Sequence, residues 1–192
     1  MSEGTSILLV GVGGQGTILA AKILSQVAMQ QKLDVKMSEV HGMSQRGGSV
    51  ITYVKFGPQV FSPLIEPGEA DYIVSFEKLE SLRWAHYLKP GGTLVVNEQE
   101  IYPLPVLTGA ANYPDHIFDR LAAKNIKVVK CNAARLAEQC GNIKAANVVL
   151  MGVLAHESAI SKQAWLEAIE QKVPARFLAL NKAAFEVGYS LA

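Results

Sequence analysis

An unbroken apolar run, Ile7-Leu-Leu-Val10, opens the hydrophobic pattern of the chain. From Ser6 to Val10 it reads as a strand buried on both faces of a parallel sheet. Gln15 to Gln31 then carries Ile18, Ala21, Leu24, Val27 and Ala28 at helical spacing, the pattern of a first crossover helix. Leu33 to Ser38 is a second strand. Ser49 to Phe56, with Val50, Thr52, Val54 and Phe56 alternating, is a third. Pro58, Pro63, Pro67 and Gly68 punctuate a long connection that holds Val60-Phe61 and Leu64-Ile65. Beyond it, Ala70 to Phe76 is a strand, Lys78 to Leu88 a helix, and Lys89-Pro-Gly-Gly92 a turn into the strand Thr93 to Asn97. That is another βαβ unit.

A loop with Pro103, Pro105 and Gly109 leads to a helix near His116 to Lys124, and Lys127 to Cys131 is a further strand. From Ala133 onward the strand signal stops. Leu136, the run from Ala145 to His156, Trp165 to Ile169 and Phe177 to Val187 are all helical, with Ser161 and Pro174 as helix starts. The expected fold is α/β, a Rossmann-like three-layer sandwich with a mostly parallel sheet and a helical C-terminal third. No linker, repeat or low-complexity tract divides it, so 1–192 is expected to form a single domain.

Composition narrows the function classes. Hydrophobic residues make up 49% and charged residues 18%, the balance of a globular protein. A net charge of +1 gives no electrostatic reason to expect nucleic acid, so small molecules or protein partners fit better. The N-terminus lacks a basic region and the apolar run behind it is too short for export, so the chain reads as cytoplasmic, with no membrane partner. Cys131 and Cys140 stand nine positions apart, outside any metal or cluster pattern, and are expected to be buried free thiols. No metal site is expected.

The chemistry-bearing segments are two. In Gly11-Val-Gly-Gly-Gln-Gly16, Gly11 allows a tight turn, Gly13 lets backbone N–H groups approach a phosphate, and Gly16 permits close helix–strand packing. Strand, glycine turn and helix N-terminus in that order form a candidate anion site. The alternative is a turn that needs glycine only to pack. The second segment runs from Glu39 to Gly48. Glu39 lies 23 residues past Gly16, where a dinucleotide-binding fold places the acid that holds a ribose. The rest of the segment is unusual for a dehydrogenase: a loop carrying His41, Met43, Gln45, Arg46, Gly47 and Gly48. Arg46 suits a 2′-phosphate, a carboxylate or another subunit. A stand-alone NAD(P)-binding oxidoreductase is therefore one reading of the pair.

No catalytic set for hydride transfer stands out. His86 and His156 sit in helices and read as structural, while His41 in the glycine-rich loop is open between a functional contact and a loop-bracing hydrogen bond. Asn147 is a polar residue in an apolar helix and calls for a hydrogen bond to a neighbouring loop or an interface, unless it faces solvent. Gly152 in the same helix suggests a close backbone approach.

Gly11-Val-Gly-Gly-Gln-Gly16, Ser38-Glu-Val-His-Gly-Met-Ser-Gln-Arg-Gly-Gly-Ser-Val50, Ser62-Pro-Leu-Ile65 and Leu88-Lys-Pro-Gly-Gly-Thr-Leu-Val-Val-Asn97 together resemble the beta subunit of indolepyruvate ferredoxin oxidoreductases. More widely they are similar to the gamma subunit, or domain III, of the 2-oxoacid:ferredoxin oxidoreductase family. The resemblance spans essentially the whole chain. It implies an assembly that decarboxylates an aryl 2-oxoacid with thiamine diphosphate, passes electrons through iron–sulfur clusters to ferredoxin, and transfers the acyl group to coenzyme A. The chain has neither the cluster cysteines nor a Gly-Asp-Gly motif for magnesium and thiamine diphosphate, so these functions fall to a large alpha subunit. By the resemblance, Gly11, Gly13, Gly14, Gln15, Gly16, Glu39 and the loop from His41 to Gly48 become a coenzyme A or subunit surface. No catalytic residue is assigned, and the isolated chain is expected to be inactive, with homodimer formation in isolation left open.

Overall fold

The computed structural model describes residues 4–42 and 47–191. Six strands form one sheet: β1 (Thr5–Val12), β2 (Asp34–His41), β3 (Ser49–Gly57), β4 (Ala70–Ser75), β5 (Leu88–Asn97) and β6 (Lys127–Cys131), in the spatial order β2-β3-β1-β4-β5-β6. β1, β4, β5 and β6 run parallel, while β3 is antiparallel to both β1 and β2. The sheet is mostly parallel, as expected.

One feature of a simple Rossmann order is absent. The second strand does not lie beside the first; β3 separates them, with Gly11 opposite Val50 and Glu39 opposite Thr52. The reason lies in burial. In β3, Ile51 and Tyr53 are apolar as well as Val50, Val54 and Phe56, so both faces are covered and the strand belongs inside the sheet. β2, with Lys36, Ser38 and Glu39 among its residues, tolerates an edge.

Helix α1 (Thr17–Gln30) and helices α5 (Ala133–Gln139), α6 (Ala146–Glu157), α7 (Lys162–Lys172) and α8 (Ala175–Tyr189) complete one layer; α2 (Lys78–Trp84), α3 (Leu104–Leu107) and α4 (Ile117–Ala122) lie in the remaining segments. Leu9, Val54, Val74 and Val95 join Ile23, Leu24, Val149, Val153, Trp165 and Phe185 in one core, and Leu8, Val10, Ile73 and Leu94 join Ala85, Ile117 and Leu121 in the other. Alternate β1 residues thus feed opposite faces, as period two requires.

α6 is buried nearly all round, from Asn147 to Ala155. It crosses α8 at two glycines: a Cβ on Gly152 would lie 2.2 Å from the Phe185 carbonyl oxygen, and one on Gly188 would lie 2.0 Å from that of Val149. The close approach expected at Gly152 is there. Ser161 caps α7 by accepting from the Ala164 N–H, and α8 follows Pro174. The helix expected from Lys78 to Leu88 is shorter. It ends at Trp84 and tightens into a 3-10 turn, Ala85–Tyr87, from which β5 starts at once. Cys131 is buried and Cys140 half-buried, both free.

Candidate functional site

The glycine turn closes the carboxyl end of β1. Gly14 and Gly16 adopt φ of 104° and 83°, the left-handed region where a side chain costs energy. A Cβ on Gly11 would come within 2.8 Å of Gln15 Oε1 and 2.9 Å of Phe76 Cβ, so this glycine is required by packing. Gly13 donates its N–H to the Gly48 carbonyl at 2.9 Å. That bond ties the turn to Gly48, just before β3, and it commits the Gly13 donor within the protein.

Gln15 has a similar duty. Its Oε1 accepts the Val12 N–H at 2.8 Å, and its Nε2 donates to the Phe76 carbonyl at 2.7 Å and to Gln99 Oε1 at 3.2 Å. The side chain is a strut of the turn, committed within the protein. Asn97 at the end of β5 completes the brace: Nδ2 donates to the Phe76 carbonyl and Gln99 Oε1, and Oδ1 accepts the Ala133 N–H. From α6, Asn147 Nδ2 donates to the Gly16 carbonyl at 3.1 Å, which answers the loop-contact expectation, and at 4% exposure it does not face solvent.

Over these amides opens a cleft of about 500 Å³ lined by Gly14, Gln15, Gly16, Asn97, Gln99 and Lys144, among others. α1 starts here with no side-chain cap and no acidic residue in its first turn. Its first N–H groups lack intrahelical acceptors and carry the positive end of the helix dipole. With Lys144 on the rim, the cleft favours an anion. Asn97, Gln99 and Lys144 were not singled out from the sequence; the signal available was the position of Asn97 and Gln99 after a parallel strand, where α/β sheets bind ligands.

On the other side of the turn, Gly13, Gly14, Thr17, Ile18, Glu39, His41 and Val50 surround a depression of about 290 Å³. The structure therefore brings Glu39 and His41 to the glycine turn. Glu39 Oε2 accepts from Thr52 Oγ1 at 3.2 Å, and the intervening β3 keeps it one strand further out than a ribose-binding acid would stand. His41 is exposed, its Nδ1 3.2 Å from the Gly42 carbonyl. Met43, Gln45 and Arg46 lie outside the described residues.

A larger groove, about 780 Å³, lies between Gly47, Gly48 and Ser49 on one wall and Ile101 to Leu107 on the other, and α2 supplies part of its lining. Glu77 and Glu80, 1% and 4% exposed, open that helix. Glu80 Oε2 accepts from Ser49 Oγ and Trp84 Nε1, and Oε1 faces Arg83 Nε at 3.4 Å. Glu77 accepts the Glu80 N–H, the Ile101 N–H and the Tyr113 hydroxyl, the last at 2.6 Å. Burial, and then the bond to Glu77, raise the Tyr113 phenol above its usual range. Among the described residues no group of three or more His, Cys, Asp and Glu side chains could hold a metal ion, and no helix is long and apolar enough to cross a membrane.

The chain is 40% identical to the indolepyruvate oxidoreductase subunit IorB of Thermococcus kodakarensis over 97% of its own length and 95% of the relative. The solved gamma subunit of a keto/oxoacid ferredoxin oxidoreductase from Geobacter sulfurreducens superposes with a TM-score of 0.74 at 25% identity, covering 98% of both chains. A 2-oxoglutarate:ferredoxin oxidoreductase from Magnetococcus marinus, solved with 2-oxoglutarate, coenzyme A and succinyl-CoA bound, has the same fold over 31% of its chain and all of this one, at 20% identity and a TM-score of 0.75. The model of the pyruvate ferredoxin/flavodoxin oxidoreductase family matches residues 6–191, and the chain belongs to that family.

Proposed function

We propose that the chain is the accessory subunit of a thiamine-diphosphate-dependent aryl-2-oxoacid:ferredoxin oxidoreductase, with indolepyruvate as the leading substrate, and that it acts as one domain-III-type unit. Full-length relatedness to subunits of such enzymes supports the accessory role, and the indolepyruvate name of the 40% identical relative supports the substrate. In the overall reaction the 2-oxoacid loses carbon dioxide, an electron pair leaves to ferredoxin, and the acyl carbon joins the coenzyme A sulfur as the thiol proton is released. Thiamine diphosphate, magnesium and the iron–sulfur clusters are assigned to the large alpha subunit.

This chain's part is to bind. The carrying observation is the cleft beside the glycine turn, where an uncapped α1 N-terminus and Lys144 meet a floor of amides already engaged with one another. Such a site attracts the phosphates of coenzyme A. The amides Gln15 and Asn97 hold the turn in shape, Gly14 leaves the approach open, and Gly16 makes room for Asn147. Gly11, Gly13 and Gly48 serve that shape.

Co-expression with a large alpha subunit tests the proposal. The two chains should co-purify, and indolepyruvate-dependent ferredoxin reduction that requires coenzyme A should need both. A large subunit that turns over alone, at the same rate and with the same coenzyme A requirement, would sink it.

A further inference from the structure

Residues 101–113, Ile-Tyr-Pro-Leu-Pro-Val-Leu-Thr-Gly-Ala-Ala-Asn-Tyr, carry no charge, and α3 lies within them, its N-terminus set by Pro103 and Pro105. Tyr102, Leu104 and Leu107 are 49%, 72% and 68% exposed. Among the described residues none from 98 to 112 joins either core, so the segment stabilises the fold little by burial. It is held all the same. Glu77 accepts from Ile101 N–H on one leg and from the Tyr113 hydroxyl on the other, and Lys78 N–H donates to the Gln99 carbonyl at 2.9 Å. Among the described residues Glu77 has no ion-pair partner. Burying a carboxylate without a cation is costly; Oε1 is spent on fixing this strap, and Oε2 caps α2.

A subunit must bury part of its surface on a partner, and a preorganised apolar strap is suited to that use. Two features bear on the occupant. Exposed Glu98 and Asp115 flank the strap, while Glu100 is paired with Lys78 at 2.7 Å, so a second copy seated strap to strap would bring Glu98 and Asp115 of the two copies together. Glu77 and Glu80 outnumber Arg83 at the adjoining groove and disfavour a phosphate there, which separates this surface from the anion-favouring cleft. We propose that the strap is a docking element for the large partner subunit, with Leu104 and Leu107 entering an apolar pocket rimmed by basic side chains, and with Glu77 as the positioning residue. This rests on the accessory-subunit reading.

The test is the affinity of the purified chain for the large subunit, measured by biolayer interferometry. Leu104→Ser combined with Leu107→Ser should leave the thermal unfolding of the chain unchanged and weaken binding about 100-fold. Phe61→Ser, at an 87% exposed apolar residue elsewhere, should leave binding unchanged. Glu77→Gln should speed proteolysis between 102 and 112 and weaken binding to a lesser degree. Wild-type affinity in the double variant overturns the inference. So does a wild-type homodimer in sedimentation that the double variant abolishes, since the strap would then serve a second copy. Failure of the wild-type chain to bind the large subunit would instead overturn the accessory-subunit reading itself.

Discussion

Gly16→Ala probes the junction on which the binding edge depends. The new methyl would lie 2.5 Å from Asn147 Nδ2, and the backbone there has φ of 83°. A left-handed non-glycine residue costs about 1–2 kcal/mol. Displacing Asn147 loses its 3.1 Å bond to the Gly16 carbonyl, about 1 kcal/mol more, with some further cost for repacking a buried amide. The sum is about 3 kcal/mol, or about 6–12 °C in Tm for a chain of this size. Asn147→Ala alone should cost about 1 kcal/mol, because the Gly16 carbonyl still accepts the Ala20 N–H at 3.2 Å. In that background the steric conflict is gone, and Gly16→Ala should cost only its backbone share of about 1–2 kcal/mol. Urea unfolding of the four proteins in a double-mutant cycle should therefore show a shortfall from additivity of about 1–2 kcal/mol. If Gly16→Ala costs the same with and without Asn147, the two residues are not coupled and the reasoning fails.

Gly152→Ala should destabilise by more than about 4 kcal/mol, since its methyl meets backbone atoms of α8 that cannot rotate aside; a Tm within a degree or two of wild type would refute the close crossing. Burial, with the Glu98 charge second, pushes the Cys131 thiol up to about 12 from 9.0. The folded state then keeps a proton that the unfolded state releases, so stability is complete below about pH 9 and falls by about 1.4 kcal/mol per pH unit toward pH 12. Cys131→Ala should remove that slope between about pH 9 and 10, above which the raised phenols of Tyr113, Tyr72 and Tyr53 add losses of their own, and Cys131 should resist a thiol reagent at pH 8 until the protein unfolds. Lys144→Glu should raise the KM for coenzyme A about tenfold with little change in kcat, which steady-state kinetics of the complex would show; an unchanged KM would remove Lys144 from the site.

Much of the fold was legible because it is written locally. Ile7 to Val10, the helical spacing from Ile18 to Ala28 and the glycines between them report their own conformations. The position of β3 between β2 and β1 was not, because strand order depends on which strand the rest of the molecule can cover on both faces. The candidate site divides in the same way. Gly14 and Gly16 carry a backbone requirement that sequence reveals, yet Gln15 and Gly13 turned out to be committed to internal bonds, and their partners at Phe76, Gln99 and Gly48 are distant in the chain. Asn97, Glu77 and the strap escaped notice for a related reason. Neutral amides form no motif, a single acid at a helix start reads as a cap, and an aperiodic proline-containing stretch reads as loop.

Hydrogen exchange on the assembled complex, with and without coenzyme A, tests most directly whether this chain's glycine edge binds the cofactor. Coenzyme A should slow exchange in peptides spanning residues 14–18 and 143–146, while residues 102–112 are already protected by the large subunit and change little. Coenzyme A protection confined to the large subunit, with none at the glycine edge of this chain, would contradict that role.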